Sequence, residues 1–240
     1  MDAYDMAKEY LKKVAHSHRL FEERVSIKAR PLSSEEAIGN PEDRDYPLLK
    51  GKERMMQAEF RGFLGQAFTD MYGNYEGSLS EIISMDITNN FRRAILISTL
   101  NAVMKCYDSL TGTIHCKDQD PPRCAQELIN YIRGRFGKVK IAMVGFQPRM
   151  AEALSRHFEL KVMDLDVDNI DQEKFGIKIE EPDKAAENLK WADLALVTGT
   201  TFVNDTYSEF LLKKPIVFYR VTMAGLTVLT GYERFCPYRR

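Results

Sequence analysis

From about residue 123 onward the chain alternates strand-length apolar runs with helix-length segments. This rhythm restricts the fold more than any other feature. Residues 139–144, 160–164, 194–197 and 215–219 read as strands, and residues 124–136, 148–157, 185–190 and 204–212 read as helices. Strands buried on both faces carry near-continuous apolar runs. Strands that alternate with helices form a parallel sheet joined by right-handed crossovers. Residues 223–229 add an apolar segment that predicts a further helix packed on the sheet or on the rest of the chain.

Within this half, Val197-Thr198-Gly199-Thr200-Thr201-Phe202-Val203-Asn204-Asp205-Thr206 follows a buried strand and leads into a helix. Open α/β sheets bind ligands at such carboxyl ends. Gly199 lets a backbone come close to a ligand. Thr198, Thr200, Thr201, Asn204 and Thr206 gather short hydrogen-bonding side chains at a helix start, which favours anions. The plainer reading is a capped helix, with Asn204 or Asp205 as N-cap.

The first half has a different texture. Residues 2–21 carry apolar Met6, Tyr10, Val14 and Ala15 at helical spacing, with His16 and His18 solvated at the end. Residues 24–30 alternate strictly, and residues 55–60 and 62–69 read as two more strands, so the expected block is a small antiparallel meander. Gly62 and Gly65 mark bulges or a close backbone approach. Residues 31–47 and 70–77 read as loop and turn. Ser78-Leu79-Ser80-Glu81 is a capping box, and Asn89 or Asn90 caps a long buried helix over residues 91–107. Asn101 falls among that helix's apolar residues, either as a structural hydrogen-bonder or as a cleft residue. The polar stretch 108–122 divides the chain into an α+β domain, 1–120, and an α/β domain, 121–240.

Bulk properties exclude several classes. The formal net charge of −1 gives no field for nucleic acid or anionic membrane. No apolar run reaches membrane-spanning length. The acidic N-terminus lacks a signal core, so a cytoplasmic location with reduced thiols is expected. A homodimer is ordinary for this size.

The motifs exclude more. Gly145-Phe146-Gln147-Pro148-Arg149-Met150 has Gln147 and Met150 where a dinucleotide fingerprint has glycines, and there is no phosphate loop of the nucleotide-triphosphatase type. Asp164-Leu165-Asp166-Val167-Asp168 lacks the Gly and Glu of a calcium loop. An acid at the end of a second strand instead sits where hydroxyls of a ligand are held, which makes Asp164 or Asp166 the candidate against a reading as solvated loop charge. Cys106, Cys116, Cys124 and Cys236 have no zinc spacing. His115-Cys116 offers soft donors to a metal. His157 reads as structural or solvated.

Four stretches together resemble one family. They are Leu100-Asn101-Ala102-Val103, Val144-Gly145-Phe146-Gln147-Pro148, residues 192–201 ending in Val197-Thr198-Gly199-Thr200-Thr201, and Val203-Asn204-Asp205-Thr206. Arg234-Phe235-Cys236-Pro237 adds to them. In this order they resemble the heavy-metal-chelation family of unknown function, in which an enolase-N-terminal-like domain precedes a Rossmann-like domain. The resemblance covers most of the chain and implies a ligand cleft between the two domains. One departure is visible: members carry Gly early in the turn after the fourth strand, and this chain has Arg220. On this reading Asn101, Gly145, Phe146, Asp164, Thr198, Gly199, Thr200, Thr201, Asn204, Thr206 and Arg220 form a ligand site. Asp164 and Asp166 would supply hard donors to a metal, His115 and Cys236 softer ones, and a transition metal is the cofactor implied. The function expected is binding of a heavy metal or a metal-chelating metabolite. The alternative is an enzyme acting, without a metal, on a nucleotide-like or other anionic small molecule, with Arg220 in an anion pocket.

Overall fold

A computed structural model describes residues 2–28, 34–43, 45–50, 53–108, 110–211 and 213–240. The chain begins with helix α1 (Ala3–His18), whose N-cap Asp2 accepts a hydrogen bond from the Asp5 amide. Its buried stripe Ala7, Leu11, Val14 and Ala15 sets its packing face. Strand β1 (Arg24–Lys28), short helices α2 (Ser34–Ile38) and α3 (Pro47–Lys50), and strands β2 (Arg54–Phe60), β3 (Phe63–Thr69) and β4 (Tyr75–Ser78) follow. The expected strand tail at residues 29–30 lies outside the described residues.

These strands form one antiparallel sheet in the order β3-β2-β1-β4. Two expected loops prove structured. Residues 31–47 contain α2, and the turn region after β3 contains β4, too short and too polar to show alternation. Ser78 at the end of β4 is the predicted capping box: it accepts from the Glu81 amide while the Glu81 carboxylate accepts from the Ser78 amide, starting α4 (Leu79–Ser84). Asn89 caps α5 (Asn90–Tyr107). That helix is buried from Arg93 to Met104 because it lies across β2 and β3. Gly65 permits the contact: a Cβ there would stand 2.3 Å from the Ser98 carbonyl and 2.4 Å from the Ala102 nitrogen.

The expected alternation then holds. Helix α6 (Asp120–Phe136) begins with Pro121 and Pro122 and leads to β5 (Lys140–Val144), α7 (Pro148–Ser155), β6 (Glu159–Met163), β7 (Glu173–Lys174), β8 (Ile177–Glu180), α8 (Ala185–Trp191), β9 (Leu194–Thr198), α9 (Thr201–Asn204), β10 (Ile216–Tyr219), α10 (Ala224–Thr230) and β11 (Arg234–Phe235). The sheet order is β11-β10-β9-β5-β6-β8-β7, parallel except for the β7–β8 hairpin. The fold is mixed α/β, as the sequence rhythm predicts. The β7–β8 hairpin and β11 are the unforeseen additions, all too short for periodicity.

Side chains of the central strand β9 divide between the sheet's faces. Leu194 and Leu196 pack toward α6 and α7, whereas Ala195 and Val197 join a larger cluster with Met56, Ala67, Leu100, Phe218 and Leu226. That cluster therefore runs without a break from the antiparallel sheet, through α5 and α10, into the parallel sheet.

Candidate functional site

Strand β5 is central: the chain leaves it toward β6 and later returns to its other side with β9. Such a reversal opens a crevice at the carboxyl ends of the two strands, the usual ligand position in open α/β sheets. A cavity of about 570 Å³ lies there. Gly145 after β5, Asp164 after β6, Thr198 at the end of β9 and Arg220 after β10 line it, and Glu53, Asp70 and Asn90 line it from the first half of the chain. Val144, Phe146, Met163 and Phe210 supply apolar wall. Leu165 and Val167, at the mouth, are 62% and 76% exposed.

Gly145 is required by geometry. Its φ is +87°, and a Cβ would lie 2.8 Å from Thr198 Cγ2 and 3.0 Å from the Tyr219 hydroxyl. The buried Tyr219 hydroxyl donates to the Gly145 carbonyl at 2.6 Å, and desolvation raises its pKa so that it stays a donor. The turn after β9 differs from the expected helix over 204–212. The helical turn α9 starts earlier, at Thr201, and Asp205 ends it in the left-handed conformation. A 3-10 turn, Tyr207–Phe210, follows, and residue 212 is outside the described residues. Neither Asn204 nor Asp205 is an N-cap, and one helical turn has little dipole for an anion. The threonines satisfy one another: Thr198 Oγ1 donates to Thr200 Oγ1, and Thr201 Oγ1 donates to the Thr198 carbonyl. Thr198, Thr200, Thr201, Asn204 and Thr206 line the cavity, but Gly199 does not. A Cβ on Gly199 would stand 3.2 Å from the Tyr219 carbonyl, so this glycine serves strand packing.

Asp164 and Asp166 border the cavity with a hydrogen-bond network that Asn169 extends to Lys174 on β7. Asp164 Oδ1 accepts from the Leu165 and Asp166 amides, and Oδ2 accepts from Asn169 Nδ2 at 2.8 Å. Asp166 Oδ1 accepts from the Asp168 amide. Burial nevertheless raises the Asp164 pKa, against these hydrogen bonds, and the charge of Glu53 adds to the rise. Arg220 reaches the cavity as expected, but Glu53 holds it at 2.6 Å and the Phe68 ring lies 4.6 Å from its guanidinium carbon. Its φ of +78° is a left-handed backbone on a non-glycine residue.

The remaining candidates lie elsewhere. Asn101 is fully buried and takes the structural alternative: its amide donates to the Gln66 and Thr222 carbonyls, and its Oδ1 accepts from the Gly225 amide at 2.7 Å. His115 and Cys236 line a separate, smaller void. The four candidate metal ligands Asp164, Asp166, His115 and Cys236 are thus divided between two cavities. Among the described residues no three His, Cys, Asp or Glu side chains are arranged to hold an ion.

Sequence reasoning missed Glu53, Asp70, Asn90 and Asn169. Asn90 donates to Asp70 at 2.7 Å and to Asn204 at 3.3 Å, joining the start of α5 to the turn after β9. The doublet Asn89-Asn90 was the available signal: one residue caps the helix, which leaves the other for a second role. Glu53 and Asp70 lie next to strand ends in unpatterned sequence, and only the fold brings them to the cavity.

No helix among the described residues is long and apolar enough to cross a membrane. No functionally curated protein matches the sequence. Residues 127–235 match the model of a family described as "Putative heavy-metal chelation". A protein of unknown function from Pyrococcus horikoshii, assigned to that family, superposes with a TM-score of 0.61 at 19% identity, covering 93% of this chain and 80% of its own. A second member, from Desulfitobacterium hafniense, gives 0.49 at 12% identity, with 74% and 72% covered. Residues 127–235 are thus similar to the family described as "Putative heavy-metal chelation", and along most of its length the chain shares a fold with the Pyrococcus protein.

Proposed function

We propose that the cavity at the carboxyl ends of β5, β6 and β9 is a cleft between domains 1–120 and 121–240, and that it binds a small cationic ligand. A metal ion carried by an organic chelator fits this description best. The observation that carries this reading is the charge of the wall. Glu53, Asp70, Asp164, Asp166 and Glu209 line the cavity, against two neighbouring cations: Arg220, already neutralised by Glu53, and Lys174, which donates to Asn169 at 2.7 Å and lies over the Phe146 ring. Opposite charge at a partly buried site is worth far more than at an exposed one.

A bare metal ion fits the walls less well. Asp164 and Asp166 already accept hydrogen bonds from their own loop, and among the described residues no three His, Cys, Asp or Glu side chains converge. A chelate that brings its own donors needs only the surrounding negative charge and the apolar faces of Val144, Phe146, Met163 and Phe210. The metal is then cargo. The family's description, heavy-metal chelation, supports the same direction. An anionic metabolite finds Arg220 engaged and the acids opposed to it.

Thermal melting in the presence of single probes tests the reading. The probes are nickel(II), nickel(II)–histidine, a short diamine and adenosine monophosphate. Stabilisation by the nickel–histidine complex or the diamine, abolished in Asp164→Asn, supports it. Stabilisation by adenosine monophosphate alone overturns it.

A further inference from the structure

Cys116, Cys124 and Cys236 come from three separate segments: the stretch before α6, the first turn of α6, and the residue after β11. All three are buried free thiols, and all three line the second, small void, of about 50 Å³. The thioether of Met150 and the ring of His115 border the same space. A buried cysteine usually serves as a small apolar side chain. Here, convergence of soft donors on one space is what departs from that pattern, since thiolate and thioether select soft ions.

Coordination number narrows the ion. No three His, Cys, Asp or Glu side chains among the described residues form a cage, so a tetrahedral zinc site is not built. A linear ion needs two thiolates. Charge narrows it further, because two thiolates on a divalent ion make a neutral unit, the form that burial tolerates. The three thiols are mutually close enough to interact: the charge of Cys236 acts on Cys116 and Cys124, and that of Cys116 on Cys124. Burial raises the thiol pKa values, Cys116 up to about 12, so these groups are protonated at neutral pH until an ion displaces their protons. Burial also raises that of Cys236, while Arg234 and Arg239 pull it the other way.

We propose that this void is a binding site for a two-coordinate soft divalent ion of the mercury(II) class, held by two of the three thiols Cys116, Cys124 and Cys236. On binding, two S–H bonds break, two S–metal bonds form and two protons leave to solvent, with no change of oxidation state. Glu53 and Arg220 line both cavities, so their ion pair stands between this void and the larger cavity.

The test uses the full chain carrying Cys106→Ala, which removes the half-buried fourth thiol. Mercury(II) is titrated without a competing thiol for proton release, and in a large excess of glutathione for retention of the ion. Native mass spectrometry reports the ions retained, ultraviolet absorbance the thiolate–mercury charge transfer, and a weakly buffered indicator the protons released. The expected result is one ion per chain, two protons released and a raised Tm. In Cys106→Ala/Cys124→Ala/Cys236→Ala, which leaves one thiol in the void, the retained ion falls to none while melting stays cooperative. If that variant does not fold, Cys106→Ala/Cys116→Ala/Cys124→Ala replaces it and must also lose the ion. Loss of mercury to glutathione, or full retention in a folded variant lacking these thiols, overturns the proposal.

Discussion

Two polar junctions join the antiparallel sheet to the parallel one, and they are built from similar materials to opposite effect. At the first, Asn101 on α5 bonds to Gln66 of β3 and to Thr222 and Gly225 beyond β10, inside a wholly buried surround. Each of these groups is satisfied within the protein. At the second, Glu53 meets Arg220 and Asn90 meets Asp70 and Asn204 at the edge of a 570 Å³ cavity. There the polar groups exceed what the protein uses. A closed polar junction fixes structure, and one with charge left over is available to a ligand.

Substitutions break this comparison in order of size. Asn101→Ala leaves the buried Gly225 amide and the Gln66 and Thr222 carbonyls without their partner. It should cost about 3–5 kcal/mol in denaturant unfolding, with a shorter accessible temperature range for the fold. Gly145→Val combines a left-handed backbone with a contact of 2.8 Å to Thr198. It should cost about 2–4 kcal/mol and remove probe stabilisation in melting experiments.

At the open junction the effects move from stability to binding. Asp164→Asn should weaken the cationic probe about tenfold, or about 1.4 kcal/mol, by calorimetry, while stability at neutral pH stays equal or rises. The raised pKa of Asp164 gives a further test by pH. The folded protein holds this proton where the unfolded chain has lost it, so the group's stabilising contribution is full at low pH and disappears as pH rises through the folded value. Probe affinity runs the other way, because binding uses the carboxylate. It should fall on acidification at a pH above that of an ordinary aspartate, and Asp164→Asn should flatten the profile. The smallest effect is expected for Arg220→Gly. It relieves a left-handed backbone worth about 1 kcal/mol but frees the Glu53 charge. Stability should change little, and affinity for the diamine should increase modestly.

The parallel sheet was legible because its long strands are near-continuous apolar runs, unbroken in Leu194-Ala195-Leu196-Val197 and interrupted once by Lys161 in β6. The capping box at Ser78 and the cap at Asn89 were legible because capping is local chemistry at fixed spacing. The cavity wall was half legible. Gly145, Asp164 and Thr198 follow strand ends, where the fold class itself directs attention. Glu53 and Asp70 carry no local pattern, and their role depends on how the antiparallel sheet is set against the other. Asn101 illustrates the reverse limit: an isolated polar residue on an apolar helix face marks a buried partner, and the sequence does not say whether that partner is backbone or ligand. The start of α9 was misplaced because Asn204 has cap chemistry, yet Thr201 and Gly199 pack the turn more tightly against β10.

The cluster of buried side chains that passes from Met56 and Ala67 through Leu100 to Val197 and Phe218 also bears on traffic to the cavity. Walls that share one core do not swing apart like a hinge, since opening would expose that core to water. Exchange with solvent then falls to the segment after β6, where Leu165 and Val167 stand exposed at the rim. The rate at which a guest enters or leaves should therefore follow changes in that short stretch, and should be nearly indifferent to substitutions in the buried part of α5 beyond Asn90, which itself lines the cavity.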